Sequence, residues 1–134
     1  MILTDASRRL AGTGDASRWV ALARRGMLWS EVQAFDVVAM GPGVAGPTTD
    51  PDYLEVLFCA AGSATATTGC GPSLALPAGT AVVYAAGSDV LALTAGTEGA
   101  TVVRVRLLPQ AASRTLPPRW PSLRPPGANP ESAV

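Results

Sequence analysis

The order of apolar and polar residues divides the chain into three parts. Residues 15–25, "DASRWVALARR", put Trp19, Leu22 and Ala23 on one face at helical spacing, with Asp15 at a capping position and Gly26 as a stop. That pattern predicts a short helix covering the end or edge of another element. From Met27 the apolar residues come in short runs punctuated by Gly and Pro: "MLWSEVQ", "FDVVAM", "LEVLFCA", "SATATT", "SLAL", "AVVYA", "DVLALTA" and "ATVVRVRLL". Short runs at close spacing predict an all-β sandwich or barrel. From Pro109, "RTLPPRWPSLRPPGANPESAV" carries enough proline to exclude helix and central strand. It predicts an extended strap or a disordered end, with Trp120 and Leu123 as docking side chains for the barrel or a neighbouring subunit. The expected organisation is an N-terminal segment over residues 1–26, a barrel over 27–108 and a Pro-rich tail over 109–134.

Composition narrows the function more than the fold. A chain of 134 residues fits one domain with a real core. With 48% hydrophobic and 15% charged residues, the sequence is foldable and its charged surface sparse, which favours a homodimer. Ten arginines cancel ten acids, and both lysine and histidine are missing, so no global charge draws the chain to nucleic acid or an anionic membrane. The first residues lack the apolar core of a signal peptide, and no run approaches bilayer-spanning length; the expected location is cytoplasmic. Cys59 and Cys70 match neither a disulfide framework nor a zinc cluster, and both are expected as buried small side chains, Cys59 also as a reactive-thiol candidate.

"GPGVAGPTTDPDYLEVLFCAAGSATATT" and "LALPAGTAVVYAAGSDVLALTAGTEGATVVRVRL" resemble the two core motifs of the cupin superfamily over roughly residues 36–108. The first motif ends in a glutamate, six residues and a glycine, which Glu55 and Gly62 match. Its two histidines fall on Thr48 and Asp50 by one allowed spacing, or on Thr49 and Pro51 by the other. In the second motif Gly79 and Gly87 match, Ala85 replaces the proline, Val90 the histidine and Thr94 the asparagine. The resemblance implies a small antiparallel jelly-roll barrel, usually dimeric, with a pocket inside one end into which the glutamate points. With every imidazole gone, a tight transition-metal site loses its normal donors, so no cofactor is expected.

Glu55 then admits three readings. It is a desolvated lumen carboxylate acting as general acid or base; or a partner in an ion pair or hydrogen bond that holds strands together; or a remnant in water at the mouth. Tyr84, ending "TAVVY", is the second catalytic candidate, with a hydroxyl able to reach the pocket mouth. Thr48, Asp50 and Thr94 occupy motif positions that look into the lumen in relatives and are candidates for orienting a ligand's polar group. Leu57, Cys59, Val90 and Ala92 are expected to make the pocket apolar. Arg104 and Arg106 share one face of "TVVRVRLL"; strands bury their apolar side, so the valines are expected inward and the arginines in solvent or at a partner, the alternative being that the arginines face the lumen as anchors for an anionic or enolic substrate. Trp29 is expected in core packing.

These residues predict a metal-independent cupin that binds a largely apolar small molecule, as a cyclase, isomerase or dehydratase akin to the cupin-type polyketide cyclases of secondary metabolism. The alternative is a non-catalytic ligand-binding or structural module.

Overall fold

The structure is a computed structural model, and it describes residues 17–24 and 31–116. Among these residues seven antiparallel strands, β1 (Arg18–Arg24), β2 (Val32–Met40), β3 (Ala45–Thr48), β4 (Leu54–Thr68), β5 (Leu74–Pro77), β6 (Ala81–Tyr84) and β7 (Leu91–Leu107), are followed by one short helix, α1 (Gln110–Thr115). Among the described residues no helix is long and apolar enough to cross a membrane.

The expected short runs join into longer strands. "LEVLFCA" and "SATATT" are one 15-residue strand, β4, and "DVLALTA" with "ATVVRVRLL" are the 17-residue β7. Their register slips between Cys59 and Ala61 and again between Gly62 and Ala64, where bulges bend both strands. Glycine is required there: Gly62 and Gly99 sit at φ +70° and +79°, and a Cβ on Gly62 would run into the Gly99 carbonyl oxygen. The bend lets β4 and β7 serve two leaves. In one, β1, β2, the C-terminal half of β7, the N-terminal half of β4, and β6 lie side by side; in the other, β3, the N-terminal half of β7, the C-terminal half of β4, and β5 do. This is the jelly-roll arrangement expected from the motifs.

The core lies between the leaves. Ala64, Ala66, Leu76, Leu91, Leu93 and Ala95 come from one leaf, and Val38, Met40, Leu57, Cys59, Ala100 and Val102 from the other.

Two local expectations are corrected. Residues 18–24 form strand β1, antiparallel to β2 from Arg18↔Ala39 to Arg24↔Ala34, where a helix over 15–25 was expected. The helical face of Trp19, Leu22 and Ala23 is also a plausible edge strand, and ladder bonds to β2 outweigh local propensity. Downstream, α1 occupies the proline-free "QAASRT", showing that proline excludes helix only where it stands. Trp29, Trp120 and Leu123 lie outside the described residues.

Candidate functional site

Along β4, Glu55, Leu57 and Cys59 are buried while Val56 and Phe58 point the other way. Residues directly opposite across a ladder share a face. Two rows therefore run across the inner face at the strand ends remote from the bend: Ala34–Arg106–Glu55–Tyr84 and Asp36–Arg104–Leu57–Val82. Glu55 is 0%, Asp36 1%, Arg104 4% and Tyr84 8% exposed.

The arginines thus face inward, contrary to the expectation that the valines would. The outer face explains the misreading. It carries the rows Phe35–Val105–Val56–Val83 and Val37–Val103–Phe58–Ala81, and with apolar residues on both faces, hydrophobicity does not mark the inside. Charge pairing makes the inward choice tolerable. Arg104 Nη2 donates to Asp36 Oδ2 at 3.0 Å. Arg106 donates to Glu55 Oε1 through Nη2 at 2.9 Å and Nε at 3.1 Å, and Asp50 N–H donates to the same oxygen at 2.9 Å. Each guanidinium also lies against an aromatic ring, Arg104 on Trp19 and Arg106 on Tyr53, both 4.9 Å from the centroid.

Among the described residues three buried side-chain polar atoms have no partner: Glu55 Oε2, Tyr84 Oη and Arg104 Nε. They come from the three adjacent strands β4, β6 and β7. Burial, with the negative charge of Asp89 adding to it, pushes the Tyr84 phenol up, so Tyr84 stays protonated and offers a hydrogen-bond donor. Tyr84 stands directly opposite Glu55, whereas Arg104 stands one row along, opposite Leu57.

The other expected site residues are placed as follows. Asp50 is half-buried at the rim, with Oδ2 3.9 Å from Arg106 Nη1. Leu57 and Cys59 are buried in the core. Thr48, Val90 and Thr94 are exposed and Ala92 is half-buried, so these four do not line the interior. Their neighbours Thr49, Leu91, Leu93 and Ala95 do, because a one-residue shift in a strand exchanges faces. Thr49 takes the inner position offered by the second motif spacing. Its backbone N–H donates to the Leu91 carbonyl at 2.9 Å, and its Oγ1 accepts from Leu91 N–H at 2.8 Å, clasping the loop beside Asp50 to the start of β7. The Cys59 thiol donates to the Ala61 carbonyl at 3.4 Å, and burial pushes its pKa up, against a backbone hydrogen bond at Ala61, so it is unsuited to thiolate chemistry. Cys70, expected buried, is exposed. Asp36 and Tyr53 were not singled out by the sequence; the two-residue spacing of Asp36 from Val38 and Ala34 on an inward-facing strand was the available signal. A depression of about 160 Å³ lies at the bend, lined by Met40, Gly62, Glu98 and Gly99 among others, and is remote from this cluster.

The residues do not fit the metal that cupins commonly hold. Glu55 spends one oxygen on a guanidinium whose charge opposes a cation, Val90 faces outward, and the described residues contain no group of three or more His, Cys, Asp or Glu able to hold an ion.

No family model and no curated protein matches the sequence. Among solved structures, the chain is similar to a cupin 2 conserved barrel domain protein from Salinispora arenicola, with TM-score 0.66 and 17% identity over 85% of this chain and 94% of that one. It is similar to the cupin domain of Schizosaccharomyces pombe Cnp3, with TM-score 0.59 and 11% identity over 73% of this chain and 65% of that one, so it spans just under two thirds of that chain. A predicted oxalate decarboxylase from Thermotoga maritima matches with TM-score 0.59 and 14% identity, over 69% of this chain and 81% of that one. Identities this low speak for the fold alone. Two leaves sharing two bent strands, the motif glutamate on the inner face and these neighbours together give the conclusion that the chain has the cupin fold, in a form without the motif histidines.

Proposed function

We propose that this protein is a metal-independent cupin that binds a largely apolar small molecule bearing an oxygen function, and acts on it by proton transfer as a cyclase, isomerase or dehydratase of polyketide-like secondary metabolism. One observation carries the reading: Glu55 has one oxygen held by three N–H groups and the other buried without a partner, next to the unpartnered Tyr84 hydroxyl on the adjacent strand. A carboxylate held this way cannot swing, so Oε2 is a fixed proton acceptor. The protonated phenol beside it donates to an oxygen that gains negative charge when the proton leaves. Leu57, Val82 and the core behind them supply the apolar wall.

The test is α-proton exchange in D₂O, followed by NMR, for a panel of aryl ketones with the purified protein and a metal chelator. The reading predicts exchange above the buffer rate that falls about 100-fold in Glu55→Gln, the low end of what a positioned base contributes. A second reading rests on the Glu55–Arg106 pair itself, which joins β4 to β7 as a strut. In that case Glu55→Gln changes stability alone, and wild type exchanges no faster than the variant.

A further inference from the structure

Resting on the proposed acid–base reading, we infer that residues 85–90 form a lid over Glu55 and Tyr84. It lifts to admit the ligand when its hydrogen bond to Pro51 breaks, while the loop over residues 49–53 stays in place.

The argument starts from burial. Glu55 is 0% and Tyr84 8% exposed, so a ligand reaches neither unless something moves. Toward the bend, Leu57, Cys59, Leu91 and Leu93 fill the space between the leaves. The opposite end is close by: Glu55 is the second residue of β4, Tyr84 the last of β6 and Arg106 the last but one of β7. Two connections pass between the leaves at that end, residues 49–53 from β3 to β4 and residues 85–90 from β6 to β7. Both touch the acid–base group. Asp50 N–H donates to Glu55 Oε1 and the Tyr53 ring lies on Arg106, while Asp89 acts through its charge on the Tyr84 phenol.

The two connections are held differently. Residues 49–53 are fixed from several sides: Tyr53 N–H donates to the Asp50 carbonyl at 3.1 Å, Asp52 N–H to Asp50 Oδ1 at 3.0 Å, and Thr49 bonds twice to Leu91. In residues 85–90, Ser88 N–H donates to the Ala85 carbonyl at 3.3 Å inside the segment, and Gly87 N–H crosses to the Pro51 carbonyl at 2.7 Å. All of these residues but Ser88 are exposed, including the apolar Val90. A segment held by one outward bond in water opens at lower cost than the strands it joins. Buried Tyr84 and Leu91, where the chain rejoins the sheet, are the hinges. Gly87 shapes the closed turn with φ +82°, and a Cβ there meets nothing within 4 Å. Gly87→Ala therefore strains the closed backbone without a clash and favours the lifted form.

Two measurements on the full-length protein test this, and neither needs a substrate. Amide hydrogen exchange followed by NMR should show Gly87 and Ser88 exchanging about tenfold faster than Thr49 and Leu91, or more, with the last two unchanged in Gly87→Ala. Acetylation by N-acetylimidazole, mapped by mass spectrometry, should reach Tyr84 about fivefold faster in Gly87→Ala than in wild type, the low end of the strain of a left-handed alanine, with Tyr53 unaffected. Gly87 and Ser88 amides as slow as those of Thr49 and Leu91, or Tyr84 acetylated equally fast in both proteins, overturn the lid. A lid that opens as predicted in a protein that exchanges no ketone protons overturns the acid–base reading alone.

Discussion

Arg106 meets Glu55 through two nitrogens, Nη2 at 2.9 Å and Nε at 3.1 Å, and both converge on the single oxygen Oε1. The pairing neutralises a carboxylate that is 0% exposed and leaves its other oxygen without a partner. Arg106→Gln removes the cation and strands the carboxylate. Urea unfolding is expected to show a loss of about 3 kcal/mol, the low end for breaking a buried pair, because the Arg106 side chain is 21% exposed. Adding Glu55→Gln to that variant recovers part of the loss. A double variant as unstable as the sum of the two singles contradicts the pairing.

The Thr49 clasp gives a second prediction. Leu91 N–H finds its acceptor in Thr49 Oγ1 at 2.8 Å. Thr49→Val keeps the shape and removes the acceptor, leaving a buried N–H unpaired, so unfolding should show a loss of about 1–3 kcal/mol. Thr49→Ser restores the oxygen and should recover most of it. The same change at exposed Thr48 is expected to stay within about 0.5 kcal/mol, which separates the two spacings of the first motif.

Tyr84 predicts a pH dependence. Its phenol is raised above the ordinary value of 10.0 in the folded state, so between that value and the folded one the native protein holds a proton that the unfolded chain has lost. Raising the pH through this window favours unfolding; the contribution is fully present below about pH 10 and is lost above it. Stability curves of wild type and Tyr84→Phe should run parallel below pH 10 and change their spacing above it, wild type losing stability that the variant keeps, since phenylalanine has nothing to ionise. Curves that stay parallel to pH 12 contradict a buried phenol.

Much of this was legible in the sequence. Glu55 stood in an alternating strand with Leu57 and Cys59, and the Glu55–Gly62 and Gly79–Gly87 spacings carried the barrel, because a bend and its turns need glycine at set intervals. The partners of Glu55 were harder. Arg106 and Arg104 face inward because Asp36, Glu55 and two aromatic rings receive them, and those receivers come from β1, β2, β4 and the loop before it, far away in sequence. Parity rules read one strand at a time and cannot register a charge waiting on its neighbour. Val90, Ala92 and Thr94 failed for a related reason. The motif frame was kept while the start of β7 presents Leu91, Leu93 and Ala95 to the core, as the hydrophobic pattern of those three residues says when read without the motif.

The most direct test of the whole account is native mass spectrometry of the protein purified from its own producing cells, with Glu55→Gln beside it. The account predicts an oxygen-bearing organic molecule of largely apolar character bound to wild type and depleted in the variant, with no stoichiometric metal. A stoichiometric metal ion in wild type that Glu55→Gln releases would contradict it, because Arg106 then could not be the cation that Glu55 serves.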